Sequence, residues 1–324
     1  MTSFRRALVT GGAGFVGSHL CAALLDAGTE VVCLDDMSSG HPRNVAALRT
    51  DRGFRLLEHD VTQPFPPLPA VDLVCHLASP ASPHDYLRDG VGTLRAGADG
   101  TARALELART CGARFLLAST SEVYGDPLQH PQTEDYWGNV NPIGPRSVYD
   151  EAKRYAEALT CAYQRDLGVD VSTARIFNTY GPRMRATDGR MIPTFIGQAL
   201  AGEPLTIAGT GHQTRSICYV DDTVAGLLAV ARSGRPGPYN IGNPVELTVR
   251  EVAALIRALT DSDSACVHVG AAIDDPRRRC PDIARARTDL GWQPHVDPRA
   301  GLRRTIAWFR SQTPETAFSS ASSG

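Results

Sequence analysis

Short apolar runs alternate with segments of helical periodicity through the first half of the chain. Five apolar runs predict buried strands, at 6–10, 30–34, 71–77, 113–118 and 169–176. A first helical pattern follows Gly17, and two longer amphipathic helices are predicted at 93–110 and 147–167. Strands and helices that alternate in this order predict an α/β fold of the Rossmann type, with a doubly wound parallel sheet.

The second half of the chain is less regular, because glycine and proline interrupt its apolar pattern repeatedly. We therefore expect a first domain over residues 1–178 and a smaller C-terminal α/β subdomain, mainly substrate-binding, over residues 179–312. Two strand-like runs within 216–242, at 216–220 and 238–241, are expected to rejoin the first sheet. Residues 313–324 are rich in Ser, Thr and Ala without periodicity, which predicts a disordered tail.

A glycine-rich segment, Gly11-Gly-Ala-Gly-Phe-Val-Gly17, follows the first predicted strand and opens the first predicted helix. Its glycines fit G-x-G-x-x-G when counted from Gly12 and G-x-x-G-x-x-G when counted from Gly11. Glycines at this spacing permit a tight turn and let the backbone approach a pyrophosphate at a helix N-terminus. The segment therefore predicts a dinucleotide site.

The strand that follows ends at Asp35, 18 residues beyond Gly17. A carboxylate at this place can hydrogen-bond the adenosine ribose hydroxyls of a dinucleotide. Asp36 and Met37 follow, and neither could bind a 2′-phosphate as an arginine does. We therefore expect NAD, not NADP, as the cofactor.

Tyr149 and Lys153 form a Tyr-x-x-x-Lys pair on the predicted helix 147–167. Residues four apart share one helix face, and a neighbouring ammonium lowers the pKa of a phenol. Lys153 is the only lysine among 33 basic residues, and the other 32 are arginine. A compact ammonium suits a group that reaches a ribose hydroxyl and a phenol together. We expect both residues to be catalytic and to contact the cofactor.

Polar residues stand where the predicted parallel strands end, which is where such sheets bind ligands. These residues are Asp35, Asp60, Ser79, Thr120 and Asn178. Their common position predicts one site along the carboxyl edge of the sheet.

The composition excludes several other classes of function. A net charge of −2 and an isoelectric point of about 6.5 give no electrostatic reason to expect nucleic acid or an anionic membrane as a partner. The eight cysteines form no C-x-x-C, so we expect reduced thiols and no metal site. Neither a signal peptide nor an apolar run of membrane-spanning length is evident, and we expect a cytoplasmic protein.

Longer motifs extend these patterns into a family resemblance. They lie at 76–83 (HLASPASP), 117–126 (LASTSEVYGD), 131–138 (PQTEDYWG), 141–146 (NPIGPR), 174–184 (ARIFNTYGPRM) and 213–215 (QTR). With the glycine turn and Tyr149-x-x-x-Lys153, they resemble the extended short-chain dehydrogenase/reductase family. Within it they look like the UDP-glucuronate decarboxylases, which make UDP-xylose. The resemblance covers roughly residues 5–310 and departs at Val148, Ala152 and Pro193-Thr194, where that family usually has Cys, Gly and Ser-Asn.

The resemblance implies roles for individual residues. The implied catalytic residues are Thr120, Glu122, Tyr149 and Lys153. The implied NAD-binding residues are Gly11, Gly14, Phe15, Val16, Gly17, Asp35, Asp60, Val61, Ala78, Ser79, Ser119, Tyr149 and Lys153. The implied contacts with the nucleotide sugar are Tyr86, Asn178, Arg215 and Arg279. Relatives also resemble homodimers packed through the helices near 93–110 and 147–167.

The expected reaction is oxidation at C4 of UDP-glucuronate, loss of carbon dioxide from the resulting β-keto acid, and reduction by the same NADH. Ser121 argues against a 4,6-dehydratase, because those relatives have an acid at this position for the C6 hydroxyl. We expect Glu122 to lie beside the substrate carboxylate and to repel it. Two alternatives stay open: a UDP-glucuronate 4-epimerase, and a non-catalytic NAD-binding regulator on the same fold.

Overall fold

The computed structural model describes residues 4–187, 189–270, 276 and 278–312, and its centre is a seven-stranded parallel sheet. The strands of this sheet are β1 (Arg6–Thr10), β2 (Glu30–Asp35), β3 (Phe54–Glu58), β4 (Leu73–His76), β5 (Arg114–Thr120), β6 (Val171–Ile176) and β11 (Tyr239–Ile241). Their order across the sheet is β11-β6-β5-β4-β1-β2-β3. All neighbouring strands are parallel, so the predicted doubly wound sheet is confirmed.

Helices cover both faces of the sheet and link the short strands of the second half. The helices are α1 (Phe15–Asp26), α2 (Pro83–Arg88), α3 (Gly90–Arg95), α4 (Thr101–Cys111), α5 (Ser147–Leu167), α6 (Met191–Ala201), α7 (Val220–Arg232), α8 (Val249–Thr260), α9 (Ala284–Leu290) and α10 (Pro298–Ser311). The remaining strands are β7 (Thr179–Tyr180), β8 (Leu205–Ala208), β9 (Thr214–Ser216), β10 (Cys218–Tyr219), β12 (Glu246–Thr248) and β13 (Cys266–Val269). None of the described helices combines the length and apolar character needed to cross a bilayer.

Two apolar cores separate the faces of the sheet. Successive residues of a strand point to opposite faces, and in β1 the side chains of Ala7 and Val9 enter one core while Leu8 enters the other. Helices α4 and α5 cover the Leu8 side, where Ala104 and Ala156 are fully buried or nearly so. Because both faces are covered, the strands are continuously apolar, which is the pattern seen in the sequence.

The helix predicted at 93–110 is divided by a π-helical segment, Ala96–Gly100, between α3 and α4. This segment packs closely against α5. A Cβ atom added at Gly97 would lie 2.6 Å from the Cβ of Ala152. The close approach fixes α5 against the sheet and places its first turns beside the carboxyl end of β5.

One prediction about the second half is wrong and a related one is confirmed. The run at 238–241 does rejoin the first sheet, because β11 pairs with β6. The run at 216–220 does not: its two-residue strand β10 pairs with β7, and α7 begins immediately afterwards at Val220. The division into a cofactor domain and a substrate subdomain stays a prediction. The predicted disordered tail, 313–324, lies outside the described residues.

Candidate active site

A cleft of about 1160 Å³ lies along the carboxyl edge of the central sheet. Every residue that the sequence predicted to be catalytic, cofactor-binding or substrate-binding lines this cleft. Residues separated by more than 250 positions, such as Gly11 and Arg279, therefore face one space.

The glycine turn is shaped for close backbone approach. Gly11 has a φ of +68°, and a Cβ there would lie 2.8 Å from the backbone nitrogen of Ala78. A Cβ at Gly17 would lie 2.1 Å from the carbonyl oxygen of Gly11, which no side chain could tolerate. Gly12 instead faces Cys33 in the core, so the operative pattern is the one counted from Gly11 through Gly14. This turn leaves room for a pyrophosphate above the N-terminus of α1.

Asp35 ends β2 as predicted and is held rigidly. Its two carboxylate oxygens accept hydrogen bonds from the backbone N–H groups of Ala13 and Met37, both at 2.9 Å. Burial raises the pKa of this carboxyl, although those two N–H groups oppose the rise. Each oxygen retains a further lone pair, so ribose hydroxyls can still donate to it. The turn and Asp35 together fit a dinucleotide.

Tyr149 and Lys153 lie one turn apart on α5, both buried, at the end of β5. The Lys153 ammonium is 5.8 Å from the centre of the Tyr149 ring and donates to the carbonyl oxygen of Ala118 at 2.9 Å. Thr120, the last residue of β5, hydrogen-bonds the Tyr149 hydroxyl. Lys153 and Thr120 therefore lie beside the same phenol.

The expected lowering of the Tyr149 pKa is not found in the chain alone. Burial raises the pKa of Tyr149 above its usual value, and the hydrogen bond with Thr120 opposes this rise only in part. Burial also lowers the pKa of Lys153 to about 8, with Glu157 acting in the opposite direction. The sequence suggested an ammonium beside a phenol but could not show how deeply both are buried.

Glu157 is a supporting residue that the sequence analysis missed. Its carboxylate accepts a hydrogen bond from the Ser119 hydroxyl at 2.6 Å and is paired with Arg175 at 2.7 Å. Since Glu157 lies one turn beyond Lys153 on α5, the same face carries the phenol, the ammonium and this anion. Ser119 is thereby fixed at the end of β5 beside the predicted cofactor space.

Glu122 follows β5 in a short 3₁₀ segment, Ser121–Tyr124, and lies between two guanidinium groups. Its Oε2 accepts from Arg146 at 2.5 Å and from Arg279 at 3.0 Å. Burial alone would raise the pKa of Glu122, but the charges of Arg279 and Arg146 outweigh it and hold the pKa below its usual value. Glu122 is therefore a carboxylate whose charge is compensated, and not the isolated anion that the sequence suggested.

Two neighbours complete the electrostatics of this end of the cleft. Burial, and next the Glu122 carboxylate, raise the pKa of Asp150 to about 7. One carboxylate oxygen of Asp150 is buried without a hydrogen-bond partner. Arg279 is 1% exposed and also donates to the carbonyl oxygen of Ser121. Its predicted contact with a diphosphate would have to coexist with these two bonds.

The other predicted substrate residues line the same cleft, and Tyr86 contacts the phenol. Tyr86 stacks on Tyr149, with ring centres 5.3 Å apart and planes inclined by 10°. Arg215 lies in β9, where its guanidinium donates to the carbonyl oxygen of Thr214 and helps to lower the pKa of Glu122. Asn178 lies two residues beyond β6, and its carbonyl oxygen accepts from the backbone nitrogen of Cys218.

Arg146 and the pair Asp85–Arg185 line the same cleft but were not singled out in the sequence. Asp85 is buried, accepts from the Ser82 hydroxyl at 2.7 Å and forms an ion pair with Arg185. Arg146 stands three residues before Tyr149, within the motif 141–146, so its position was a signal available in the sequence. Asp85 and Arg185 are 100 residues apart, and no local pattern connects them.

A family model described as "NAD dependent epimerase/dehydratase family" matches residues 7–242. The match covers the glycine turn, α5 and, apart from Arg6, all strands of the central sheet. It spans well over half of the chain.

Two relatives and one solved structure show the similarity in more detail. UDP-glucuronic acid decarboxylase 1 of Xenopus tropicalis is 50% identical over 313 residues, 97% of this chain and 74% of that protein. UDP-glucuronic acid decarboxylase 6 of Arabidopsis thaliana is 51% identical over 298 residues, 92% of this chain and 86% of that protein. The crystal structure of UDP-glucuronic acid 4-epimerase from Bacillus cereus, in complex with UDP-glucuronic acid and NAD, is 26% identical with a TM-score of 0.83. The aligned region covers 94% of this chain and 99% of the epimerase chain.

Proposed function

This chain belongs to the NAD dependent epimerase/dehydratase family, and we propose that it is a UDP-glucuronate decarboxylase that forms UDP-xylose and carbon dioxide. The observation that carries the proposal is the 50% identity, over 97% of the chain, to a protein of that name. The similarity to a 4-epimerase is lower, at 26% identity. The cleft contains residues that suit the steps of the reaction.

We assign NAD to the part of the cleft formed by the glycine turn and Asp35. The fit rests on the tight turn that only glycine at 11 and 17 permits, directly before the N-terminus of α1, and on the carboxylate at the end of β2. Asp60, Val61, Ala78, Ser79 and Ser119 line the same cleft farther along the sheet edge. Bound there, NAD would supply the hydride acceptor for oxidation at C4 of the sugar and the hydride donor for the later reduction.

Tyr149 accepts the C4 hydroxyl proton during oxidation and gives it back during reduction. In the chain alone burial favours the protonated phenol, so the cationic groups around it are required to form the phenolate. Lys153 supplies one such charge from 5.8 Å, and the oxidised nicotinamide ring would supply another. Thr120 donates to the C4 oxygen as negative charge develops there.

Carbon dioxide leaves once C4 is a ketone, because the electrons of the broken C5–C6 bond move into the C4 carbonyl to give an enolate. The substrate carboxylate would lie near Arg146, Arg279 and Glu122. Two guanidinium groups attract a carboxylate, and Glu122 limits that attraction by compensating their charge. We infer that Glu122 prevents the site from stabilising the carboxylate so strongly that carbon dioxide loss is hindered.

The cycle closes when C5 takes up a proton, and the C4 ketone receives its hydride and the Tyr149 proton. One proton is consumed and one carbon dioxide is released, with no net oxidation. Ser121 supports this outcome over loss of water from C6, because a hydroxyl is too weak an acid for that step near neutral pH. Its side chain is buried as well, with 2% exposed.

We also propose a homodimer and a cytoplasmic location. The helices α3 and α5 expose apolar side chains on one side of the molecule, with Val91 65%, Leu94 42% and Tyr155 50% exposed. A second copy packed on these helices would cover them. All eight cysteines are free, as suits a reducing compartment.

The proposal is tested by incubating the purified protein with UDP-glucuronate and identifying the product by mass and by sugar composition. A decarboxylase gives UDP-xylose. UDP-galacturonate, with unchanged mass, would instead identify a 4-epimerase. Unaltered substrate in the presence of bound NAD would favour the non-catalytic regulator.

A further inference from the structure

Three side chains from distant parts of the sequence converge on the surface beside β12. They are His130, Glu246 and Cys280, and their ligand-type atoms all lie within 4.8 Å of one another. His130 and Glu246 are about a quarter exposed, whereas Cys280 is buried. The lack of a C-x-x-C motif predicted no metal site, and this cluster is not visible in the sequence because its members are 34 to 150 positions apart.

We propose that His130, Glu246 and Cys280 form a binding site for a divalent metal of intermediate softness, with Zn²⁺ as the preferred ion. Imidazole nitrogen, carboxylate oxygen and thiolate sulfur are the three ligand types that Zn²⁺ takes in proteins, with bonds of about 2.0–2.3 Å. Three protein ligands leave a fourth position for water, and the exposed edges of His130 and Glu246 give solvent access to it. Harder ions such as Mg²⁺ are disfavoured by the thiol.

The present contacts leave these three groups available. His130 Nε2 and Glu246 Oε2 are 2.9 Å apart, and an ion between them would replace this hydrogen bond with two coordinate bonds. The Cys280 thiol donates to the backbone carbonyl oxygens of Pro244, at 3.3 Å, and of Pro281, at 4.0 Å, and neither is a strong hydrogen bond. Small side-chain movements are enough to bring the three atoms onto one tetrahedral centre.

The surroundings supply the outer hydrogen bonds that metal sites need. The Thr214 hydroxyl donates to the second oxygen of Glu246 at 2.5 Å, which leaves Oε2 for the ion. Ser216 is fully buried beside the Cys280 thiol, and its hydroxyl has no hydrogen-bond partner. A Cys280 thiolate would give that orphan hydroxyl an acceptor.

Backbone contacts hold the ligand-bearing segments together. The backbone of Cys280 exchanges hydrogen bonds with Gln132: its nitrogen donates to Gln132 Oε1 at 2.9 Å, and its oxygen accepts from the Gln132 nitrogen at 2.9 Å. Glu246 is paired with Ser216 across β12 and β9. Because Cys280 follows Arg279 directly, an ion here would also anchor the segment that brings Arg279 to Glu122.

The test is a titration of the chelator-treated full-length protein with Co²⁺, a spectroscopic substitute for Zn²⁺. We expect one equivalent to bind with a thiolate-to-cobalt charge-transfer band, and added Zn²⁺ to abolish the band. Cys280→Ser should remove the band, and Cys266→Ser, a matched change of an exposed cysteine, should keep it. His130→Gln and Glu246→Gln should each weaken binding at least about tenfold, since losing even an outer partner has that effect.

Absence of the band in the wild type would overturn the proposal. So would a band that survives in Cys280→Ser or that disappears in Cys266→Ser. His130 lies at the surface, so the result for His130→Gln does not depend on repacking a buried position. The measurement detects metal binding alone, so its failure leaves the proposed decarboxylase activity untouched.

Discussion

Arg146 donates a hydrogen bond to Glu122 at the candidate active site, with 2.5 Å between Nη2 and Oε2. Arg279 binds the same carboxylate oxygen from the other side. Glu122 is thus the anion of a cluster with a net positive charge, placed at the end of the cleft where the substrate carboxylate is expected. This arrangement, and not simple repulsion by a lone glutamate, is the basis of the first prediction.

Glu122→Ser should slow carbon dioxide release more than C4 oxidation, by at least about tenfold, or about 1.4 kcal/mol in barrier. Without Glu122, both guanidinium groups are free to stabilise the substrate carboxylate and so oppose its loss. Tyr149, Lys153 and Thr120 remain to support hydride transfer. The variant should therefore accumulate NADH and 4-keto acid, or release UDP-galacturonate, which NADH absorbance and product mass would detect.

If the rates of C4 oxidation and of carbon dioxide release fall by the same factor, this role of Glu122 is contradicted. Glu122 would then act in substrate binding or in positioning the two arginines. Arg165→Gln is a suitable control, because it removes a guanidinium from an exposed pair with Asp166 far from the cleft. That variant should keep both rates.

Lys153→Arg should reduce kcat/KM by about a hundredfold or more, the scale of acid–base catalysis. The positive charge is kept, but Lys153 is 6% exposed and its ammonium is already bonded to the Ala118 carbonyl. A planar guanidinium is too wide for that space and cannot contact both a phenol and a ribose from it. Steady-state kinetics would check this, and nearly normal activity would mean that the single lysine has no special role.

Gly17→Ala should abolish or weaken NAD binding by at least about tenfold, or 1.4 kcal/mol. The added Cβ would lie 2.1 Å from the Gly11 carbonyl oxygen, so the turn must open. Gly270→Ala is the matched control, because a Cβ there meets nothing within 4 Å. Fluorescence titration with NADH would compare the variants, and equal affinities would remove the glycine turn from the cofactor site.

Asp150→Asn should change how stability depends on pH. The folded pKa of Asp150 is raised from 3.8 to about 7, so the folded state holds the proton more tightly than the unfolded state. This stabilising contribution is complete below pH 3.8 and is lost as the pH rises through about 7. It changes by up to about 1.4 kcal/mol per pH unit.

The free energy of unfolding of Asp150→Asn, relative to the wild type, should therefore increase between pH 3.8 and about pH 7 and level off above that. The unpartnered buried oxygen of Asp150 gives a structural reason for this, because asparagine places no charge there. Urea denaturation at several pH values would check the prediction. A difference between the two proteins that does not vary with pH would contradict it.

Much of the fold could be predicted because it depends on local patterns. Helix α5 has the predicted bounds, 147–167, since its amphipathic repeat ends at Gly168 in a left-handed conformation. The run at 216–220 was predicted wrongly, because two residues of strand followed at once by a helix look like a longer apolar strand. The π-helical segment Ala96–Gly100 depends on packing against α5, which the sequence does not display.

The predicted site residues line one cleft, but their interactions could not be predicted. Motifs placed the predicted residues in one cleft, since strand ends and helix starts converge at one sheet edge. The contacts of Glu122 with Arg146 and Arg279 join residues 24 and 157 positions apart, and among 32 arginines no pattern selects them. The pKa of Tyr149 was also misjudged, because burial outweighs the neighbouring ammonium.

The most direct test of the account is release of labelled carbon dioxide from UDP-glucuronate that carries the label in its carboxyl group. The wild type should release it in equal amount to the UDP-xylose formed, without added reductant and without net accumulation of NADH. Tyr149→Phe should bind NAD normally and release none, because only the proton acceptor is lost. Conversion of UDP-glucuronate without labelled carbon dioxide, or full release by Tyr149→Phe, would contradict the account.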